Sequence, residues 1–481
     1  MALKNNKIFR IVAISIACVL CFLGKFIRPI PGLSQDAMGV LFIFVGCLFL
    51  WLTIGIDWPS ILCIVALGFI DSVGFKSVFQ NSFGNATFIF LLFTFVCTYA
   101  LSKTSLLKRT AIFFINLKIA KKSGFRFLTL FLIATLFLGL FISPSVLFVV
   151  MLPIVNEIFN IAKIEKGDKI AKAMMLGLGF TVSISSGMTT IAHVFPILAI
   201  NASHSDISPL QYMAFAIPTG LVIFIFMLFM LWLIARKDSH KLANVDVSLL
   251  KKELPKINGK DIATLIIFIL VIVLWIVPSL FQNIWPDFYQ FFNKYGTAMP
   301  PLIGTFLLCI IRFNNEPLIK IDKALKEGIP WGSLLMCAAT LALGAALTSD
   351  AVGIKTFLTS SLNEPLKQIH AIWLLIIFVC WAALQTNVSS NMVTATLVAS
   401  VAYGILSSGD IKLNIPVTCA IIGMMASFAF ATPPSMPHIA IVAGSEYCTT
   451  KDVLIYGGIL MIFSAVAALL VAYPLGSLII N

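Results

Sequence analysis

Charged residues are scarce in this sequence. Asp, Glu, Lys and Arg make up 11% of its 481 residues, whereas 60% are apolar. Soluble domains carry about 25% charged residues, so this composition excludes a water-exposed surface over most of the chain. Apolar runs of roughly 17–25 residues, the length that crosses a bilayer core, recur throughout. The sequence therefore predicts an all-α membrane protein with many spans.

Acidic residues are absent from the middle of the apolar runs. All 20 Asp and Glu residues fall in loops or at the ends of predicted spans. Cation and proton pathways usually have carboxylates inside the bundle, so this pattern argues against cation transport and against an intramembrane enzyme. The closest cysteines, Cys18 and Cys21, lie in an apolar run and do not indicate a metal site. We predict neither a metal nor a cofactor.

The net charge of +13 is unevenly distributed. Lys and Arg cluster near the N-terminus and at 103–126, 163–172, 236–260 and 312–326, all on one side of the predicted membrane. This distribution follows the positive-inside rule and therefore indicates topology rather than binding to nucleic acid. We predict a multi-pass protein of the cell membrane, in contact with the lipid bilayer, with its N-terminus in the cytoplasm and its C-terminus outside.

Eleven segments are predicted to cross the membrane: 11–28, 38–56, 59–73, 84–102, 173–200, 209–235, 261–281, 297–312, 331–348, 413–445 and 453–478. Two further apolar segments, 127–163 and 371–407, are interrupted midway and are too long for one crossing. If each is a re-entrant hairpin, every basic cluster falls on the cytoplasmic side. Two full crossings in either segment would break that consistency.

The chain repeats itself at an offset of about 246–247 residues. Ala100–Ser102 returns as Ala346–Thr348, and the interruption of the first hairpin aligns with that of the second. Behind each hairpin lies a long span broken by small polar residues, 173–200 and 413–445. An odd number of crossings separates the copies, so they must be inverted. We predict inverted repeats at 1–235 and 261–481, joined by a cytoplasmic connector at 236–260.

The four interruptions predict one polar site. Backbone broken at membrane depth persists only where it is buried in protein or lines a wet cavity. Inverted repeats with broken helices are typical of secondary transporters, which bind substrate between the repeats. Half-helix N-termini and neutral hydroxyls suit a carboxylate, and two related turns suit an anion with two charged ends. The predicted binding residues are Ser143, Pro144, Ser145, Ser186, Gly187, Thr189, Thr190, Ser390, Asn391, Met392, Thr432, Pro433, Pro434 and Ser435.

The hairpin turns and the proline-rich break at 431–435 resemble those of the divalent anion:sodium symporter family, which includes the INDY dicarboxylate transporters. The resemblance covers nearly the whole chain, and Ser390–Met392 keeps two residues of the family's Ser-Asn-Thr tip. It implies eleven spans and two hairpins, a homodimer, and an elevator movement of a transport domain past a scaffold. It also implies small C4 or C5 dicarboxylates as substrates, such as malate, succinate, fumarate or 2-oxoglutarate.

In that family each tip asparagine also helps to bind sodium. The first tip here has Pro144, which has no side-chain oxygen for that role. The second retains a candidate sodium site formed by Thr386, Ser389, Asn391, Ala431 and Pro433. The first broken helix lacks the family's Thr-Pro-Pro-Asn pattern. Its counterpart is Ser186–Thr190 by repeat spacing, or Ala192–Val194 by family spacing.

Loss of sodium would require another positive charge. His193 and His438 follow the two helix breaks, and we expect them to supply positive potential together with the half-helix dipoles. A permanently positive site is costly to move empty through the membrane, which favours obligatory exchange of one dicarboxylate for another. The alternatives are a sodium-coupled dicarboxylate or citrate symporter, a sulfate carrier and a channel.

Overall fold

The computed structural model describes residues 7–191, 193–205, 207–243, 245, 254, 256–281, 284–354, 357, 370–407 and 411–480. The N-terminal residues 1–6, the alternative counterpart Ala192 and most of the connector after Ala243 lie outside the described residues. Among those described, strands are limited to Arg312–Phe313 paired antiparallel with Glu316–Pro317. Almost all other ordered segments are helical, which confirms the predicted all-α class.

The helices follow the apolar runs of the sequence. In the first half they are Lys7–Leu23, Gln35–Thr53, Asp57–Gly68, Gly74–Asn81, Ala86–Ser102, Leu106–Ile115, Gly124–Gly139, Pro144–Ala162, Lys169–Gly187, Phe195–Ala202 and Pro209–Ala235. In the second half they are Gly259–Leu280, Pro286–Tyr295, Met299–Ile310, Ile321–Glu327, Trp331–Thr348, Ala371–Val388, Asn391–Leu406, Ile415–Ser427, Pro437–Ala443 and Thr450–Ile479. Short 3₁₀ turns lie at Ala120–Lys122, Ser239–Leu242 and Pro433–Ser435.

Within the described residues, eight helices are long and apolar enough to cross a membrane. The count rises to nine if Gly74–Asn81 and Ala86–Ser102, which meet at a bend of 41°, form one span. Five shorter apolar helices of 10–17 residues coincide with three further predicted spans and with two arms of the interrupted segments. The predicted span 11–28 coincides with the helix Lys7–Leu23, which belongs to neither group. These findings confirm a polytopic membrane protein.

Each predicted interruption separates two helices. In the segment 127–163, hereafter the first hairpin, one arm ends at Gly139 and the other begins at Pro144, a residue that fits the first turn of a helix. In the second hairpin, 371–407, Ser389 and Ser390 are extended between Val388 and Asn391. Both interruptions therefore aim the N-terminus of a helix at the tip.

The two long broken spans divide in the same way. The first broken helix consists of Lys169–Gly187 and the short half-helix Phe195–Ala202. The second consists of Ile415–Ser427 and the short half-helix Pro437–Ala443, separated by the proline-rich turn. Proline lacks the backbone N–H that a continuing helix needs, so Pro433 and Pro434 interrupt the helical hydrogen-bond pattern between the two half-helices.

The short half-helices pack crosswise between the halves of the chain. Phe195–Ala202 contacts the second hairpin arm Asn391–Leu406 and the helix Ile415–Ser427. Pro437–Ala443 contacts the first hairpin arm Pro144–Ala162 and the helix Lys169–Gly187. Each half therefore completes its core with a short helix from the other half.

Glycine permits both crosswise contacts. A Cβ on Gly423 would lie 2.7 Å from the Pro196 Cα, and a Cβ on Gly179 would lie 2.9 Å from a Val442 methyl carbon. Apolar side chains gain little by leaving lipid, so membrane helices associate through such close backbone approaches. These contacts join the two halves of the chain at both broken helices.

Candidate functional site

A cavity of about 290 Å³ lies at the tip of the first hairpin. Its walls come from the tip, the first break, the helix Ala86–Ser102 and the segment that precedes Trp331. The lining residues are Phe95, Thr98, Tyr99, Ile142, Ser143, Pro144, Ser145, Val146, His193, Val194, Glu327, Gly328, Ile329, Pro330 and Ser333. We call this space the first-tip cavity.

The first tip offers neutral donors to this cavity. Ser143 directly precedes the helix Pro144–Ala162, and its side chain makes no capping bond within that helix. The unpaired N–H groups and the positive dipole end of a helix N-terminus favour an anion. The hydroxyls of Ser143 and Ser145 can donate to the same anion. The tip is therefore suited chemically to one carboxylate group.

His193 adds a further donor at the cavity wall. The backbone N–H of Val194 donates to His193 Nδ1 at 3.0 Å, so Nδ1 is an acceptor and carries no proton. In a neutral imidazole the proton is then on Nε2, the ring's remaining polar atom. The geometry thus gives His193 the role of a neutral N–H donor, whereas the sequence had suggested a positive charge.

The second tip is tied to the second break by hydrogen bonds. Asn391 Nδ2 donates to the Ser435 carbonyl at 3.0 Å, and Thr386 Oγ1 donates to the Ala426 carbonyl at 2.7 Å. Among the described residues, Asn391 Oδ1 and Ser389 Oγ are buried and have no hydrogen-bond partner. Two unpaired oxygens beside broken backbone are the ligand type that a hard cation prefers.

Asn387 is a key residue that the sequence reasoning missed. Its Oδ1 accepts the Ala431 N–H at 2.7 Å, its Nδ2 donates to the Ala383 carbonyl at 2.8 Å, and its own carbonyl accepts the Thr432 hydroxyl. One side chain therefore fixes the start of the second break against the hairpin. The available signal was an asparagine at the polar end of a largely apolar arm, four residues before Asn391.

The first break contacts both its own hairpin and the second break. A Cβ on Gly139 would lie 2.0 Å from Ser185 Oγ, and one on Gly187 would lie 2.6 Å from the Phe428 ring. The Gly187 carbonyl accepts the Tyr212 hydroxyl at 2.6 Å. These contacts leave no room for larger side chains and hold the break next to its counterpart.

The four predicted binding residues of the first break, Ser186, Gly187, Thr189 and Thr190, are all buried. Thr189 Oγ1 accepts the Ile191 N–H at 3.0 Å. Thr190 Oγ1 has no partner among the described residues. Ser186 donates to the Ser183 carbonyl at 2.8 Å, so its hydroxyl proton is already used within the helix.

His438 lies outside the first-tip cavity. It is 1% exposed, its Nε2 is 2.8 Å from Ser183 Oγ, and its ring lies against Phe148. Among the described residues its Nδ1 has no partner. A protonated ring would bury an unsatisfied N–H there, which is costly. The observed contacts favour a neutral histidine that joins the two halves.

The predicted site residues do not line a single cavity: Ser186, Gly187, Thr189 and Thr190 are buried in the first break, and the residues at the two tips form two groups. The first-tip residues and His193 line one cavity. Ser390, Asn391 and Met392 lie with Thr432–Ser435 in a hydrogen-bonded unit, and none of them is among the described residues that line that cavity. The two groups are connected through the breaks, by Gly187 with Phe428 and by Ser183 with His438.

Comparison with known proteins identifies the family. A family model described as "Citrate transporter" matches residues 40–426. The chain belongs to the citrate transporter family. This membership confirms the resemblance to the divalent anion:sodium symporters.

Two proteins similar to this member of the citrate transporter family are named sodium-dependent dicarboxylate transporters. SdcS of Staphylococcus saprophyticus subsp. saprophyticus is 26% identical over 98% of the chain and 92% of that protein. SdcS of Staphylococcus aureus strain USA300 is 25% identical over 82% of the chain and 77% of its own length.

Proposed function

We propose that the protein is a secondary transporter of small dicarboxylates. The observation that carries this proposal is the first-tip cavity, where a helix N-terminus, two serine hydroxyls and a neutral His193 converge. These groups recognise a carboxylate by donated hydrogen bonds and dipole charge. The names of the relatives support the substrate class. C4 and C5 dicarboxylates such as malate, succinate, fumarate and 2-oxoglutarate would place one of their two carboxylates at the first tip.

We further propose that the halves 1–235 and 261–481 are inverted repeats with their connector in the cytoplasm. The crosswise contacts of the short half-helices support this arrangement, because each half makes the same kind of contact with the other. It gives a cytoplasmic N-terminus and an external C-terminus. By family likeness we also propose a homodimer, which light scattering of the purified protein would test.

An elevator movement is supported by a pair of cavities at repeat-related positions. Phe95, Thr98 and Tyr99 line the first-tip cavity. At an offset of about 246 residues, Leu341, Gly344 and Ala345 line a second cavity of about 240 Å³, which we call the outer cavity. Two cavities with repeat-related walls are expected if a transport domain moves between two positions and faces one cavity in each.

The facing walls of the two cavities differ. The first-tip cavity reaches the tip at Ser143–Ser145, whereas the outer cavity reaches Thr396 and Ser400, beyond the second tip. We therefore propose that this is the inward-facing state and that the second tip moves to the outer cavity in the other state. Cysteines at 390 and 344 should crosslink in that second state, in a protein whose native cysteines are replaced.

For coupling, we propose one sodium ion at the second tip. The unpartnered Ser389 Oγ and Asn391 Oδ1 and the backbone near Ala431 provide oxygens, together with Thr386 and the turn at Pro433. The sodium dependence in the relatives' names favours this choice. Obligatory dicarboxylate exchange is the second candidate, because Pro144 cannot supply the oxygen of a sodium site at the first tip.

Transport by purified protein in liposomes tests these proposals. Saturable uptake of labelled succinate or malate is expected in both cases and separates a carrier from a channel. Uptake into empty vesicles driven by a sodium gradient supports symport, and uptake that requires internal dicarboxylate and ignores sodium supports exchange. Citrate and sulfate serve as competitors. If no dicarboxylate crosses under any of these conditions, the proposed function is wrong.

A further inference from the structure

A charged cluster that the proposed function does not use lies between two cavities. Tyr99 Oη donates to Glu327 Oε2 at 2.6 Å, and Lys103 Nζ is 3.5 Å from the same oxygen. Lys323 Nζ is 3.9 Å from Glu327 Oε1, and Lys103 also lies over the Tyr99 ring at 4.7 Å from its centroid. We call these four residues the inner cluster. One carboxylate in it is held by two ammonium groups and a phenol.

Beyond the inner cluster lies a larger cavity of about 400 Å³. Tyr99 lines both this space and the first-tip cavity. The larger cavity is also lined by four lysines, Lys103, Lys260, Lys320 and Lys323, and by two carboxylates, Asp261 and Glu316. We call it the lysine cavity. Its lining therefore has a positive excess that favours an anion.

The two acidic side chains of the lysine cavity are already engaged. Asp261 is 6% exposed and accepts the Ser105 hydroxyl at 2.8 Å. Glu316 is 3.6 Å from Lys320. Lys260 forms no ion pair with any residue that the structure describes. Lys260 is thus available to a mobile anion, whereas Lys103 and Lys323 form ion pairs with Glu327.

The charge is specific to one end of the protein. At the offset of about 246 residues, Tyr99 corresponds to Ala345, Lys103 to Ser349 and Glu327 to Asn81. Ala345 and Asn81 line the outer cavity, as Tyr99 and Glu327 line the first-tip cavity. If the fold itself required a charged cluster beside the cavity, both ends would have one. The inner cluster therefore calls for a functional explanation.

We propose that the lysine cavity is a second, cytoplasmic binding site for the dicarboxylate, and that Glu327 holds its ammonium groups until a substrate carboxylate displaces it. This inference rests on the proposed transport function. The substrate would first bind Lys260 with one carboxylate, then replace Glu327 with the other. Once Glu327 has moved aside, the dicarboxylate can pass Tyr99 into the first-tip cavity.

The energetics of the inner cluster suit such an exchange. The side chains of Lys103 and Glu327 are 58% and 43% exposed, and exposed ion pairs are weak. Replacing one carboxylate by another leaves the number of ion pairs unchanged. The hydrogen bond from Tyr99, with Lys323 and Lys103 nearby, lowers the pKa of Glu327. Glu327 is therefore ionised at neutral pH and competes with the substrate as an anion.

Sided transport measurements test this proposal. Inside-out membrane vesicles report the KM for dicarboxylate from the cytoplasmic face, and right-side-out vesicles report it from the outer face. The double variant Lys103→Gln with Lys323→Gln should raise the cytoplasmic KM about fivefold at low salt, with the outer KM unchanged. Glu327→Gln should shift the cytoplasmic KM the opposite way, by about two- to threefold, because it removes the competing anion. Both shifts should shrink at high salt.

A matched control is provided by Lys166, which pairs with Glu446 at 2.7 Å and is 65% exposed, but does not line either cavity. Lys166→Gln should leave both KM values unchanged. If the wild type transports dicarboxylate, equal KM shifts of the variants at both faces, or no KM shift in inside-out vesicles, would overturn the inference. Absence of dicarboxylate transport by the wild type in both vesicle types would instead reject the proposed function, and this inference with it.

Discussion

Replacing Asn387 by alanine should disconnect the second break from the second hairpin. The substitution removes the acceptor of the Ala431 N–H at 2.7 Å and the donor to the Ala383 carbonyl at 2.8 Å. Ala431 is buried, so water cannot replace the lost acceptor of its N–H. Leaving a buried donor unsatisfied costs about 1–3 kcal/mol, and we take about 2 kcal/mol for this site. The Ala383 carbonyl lies within a helix, so loss of the hydrogen bond that it accepts from Asn387 should add little to this cost.

That cost has a functional magnitude. If the break keeps its binding-competent shape only part of the time, the apparent affinity falls by the competent fraction. A penalty of about 2 kcal/mol corresponds to roughly a thirtyfold loss of affinity. Dicarboxylate and sodium affinities of purified Asn387→Ala, measured by calorimetry or by thermal shift with each ligand, should fall by up to this factor. The unliganded protein should also melt at a lower temperature.

Asn414 provides the matched control. Its Oδ1 also accepts a backbone N–H, that of Val417 at 3.1 Å, but at the beginning of the helix Ile415–Ser427, far along the chain from the break. Loss of such a cap costs about 1 kcal/mol. Asn414→Ala should therefore lower the melting temperature and leave ligand affinity unchanged. Equal ligand affinity in Asn387→Ala and the wild type would refute the reasoning.

Three further predictions follow from individual contacts. Gly457→Ala should abolish folded carrier, because its Cβ would lie 2.0 Å from the Phe430 carbonyl, whereas Gly458→Ala, with no atom within 4 Å, should purify normally by size-exclusion chromatography. Asn391→Ala removes the unpartnered Oδ1 and should raise the half-saturating sodium concentration of uptake about tenfold or more; an unchanged value would argue against a sodium ion at the second tip. The hydrogen bond from Lys241 lowers the pKa of Asp168, so this pair stabilises the folded protein above the ordinary pKa of aspartate, about 4, and loses that contribution as the pH falls through the lowered value. Lys241→Gln should lower the melting temperature at pH 7 and weaken its acid dependence, and melts from pH 7 to pH 3 that parallel the wild type would contradict this.

Hydropathy predicted the helices well because lipid requires long apolar runs. The arms around Ser143 and Ser390 and the breaks after Gly187 and Ser427 follow from proline, glycine and small polar residues that stop a helix locally. Four helices lie outside the predicted segments: Gly74–Asn81, Leu106–Ile115, Pro286–Tyr295 and Ile321–Glu327. They are short and carry polar or charged residues, so hydropathy does not reveal them. Their positions depend on their neighbours in the fold rather than on membrane thickness.

The side-chain roles were less accessible from sequence. Asn387 gave no repeat signal, since its counterpart at the offset of 247 is Leu140. Glu327 and Tyr99 are far apart in the chain and meet only in the folded protein. The two histidines have symmetric positions in sequence, yet His193 lines a cavity and His438 is enclosed by Ser183 and Phe148. Sequence spacing cannot reveal such tertiary partners.

The crosswise contacts of the half-helices constrain how the protein is made. When the ribosome has synthesised only the first 235 residues, Phe195–Ala202 lacks the helices Asn391–Leu406 and Ile415–Ser427 against which it rests. The nascent half must therefore wait in the bilayer, with glycine-lined surfaces exposed to lipid or to the insertion machinery, until translation of the remainder is nearly complete. Co-expression of the two halves as separate polypeptides, cut within the connector, should restore a folded carrier that neither half forms alone.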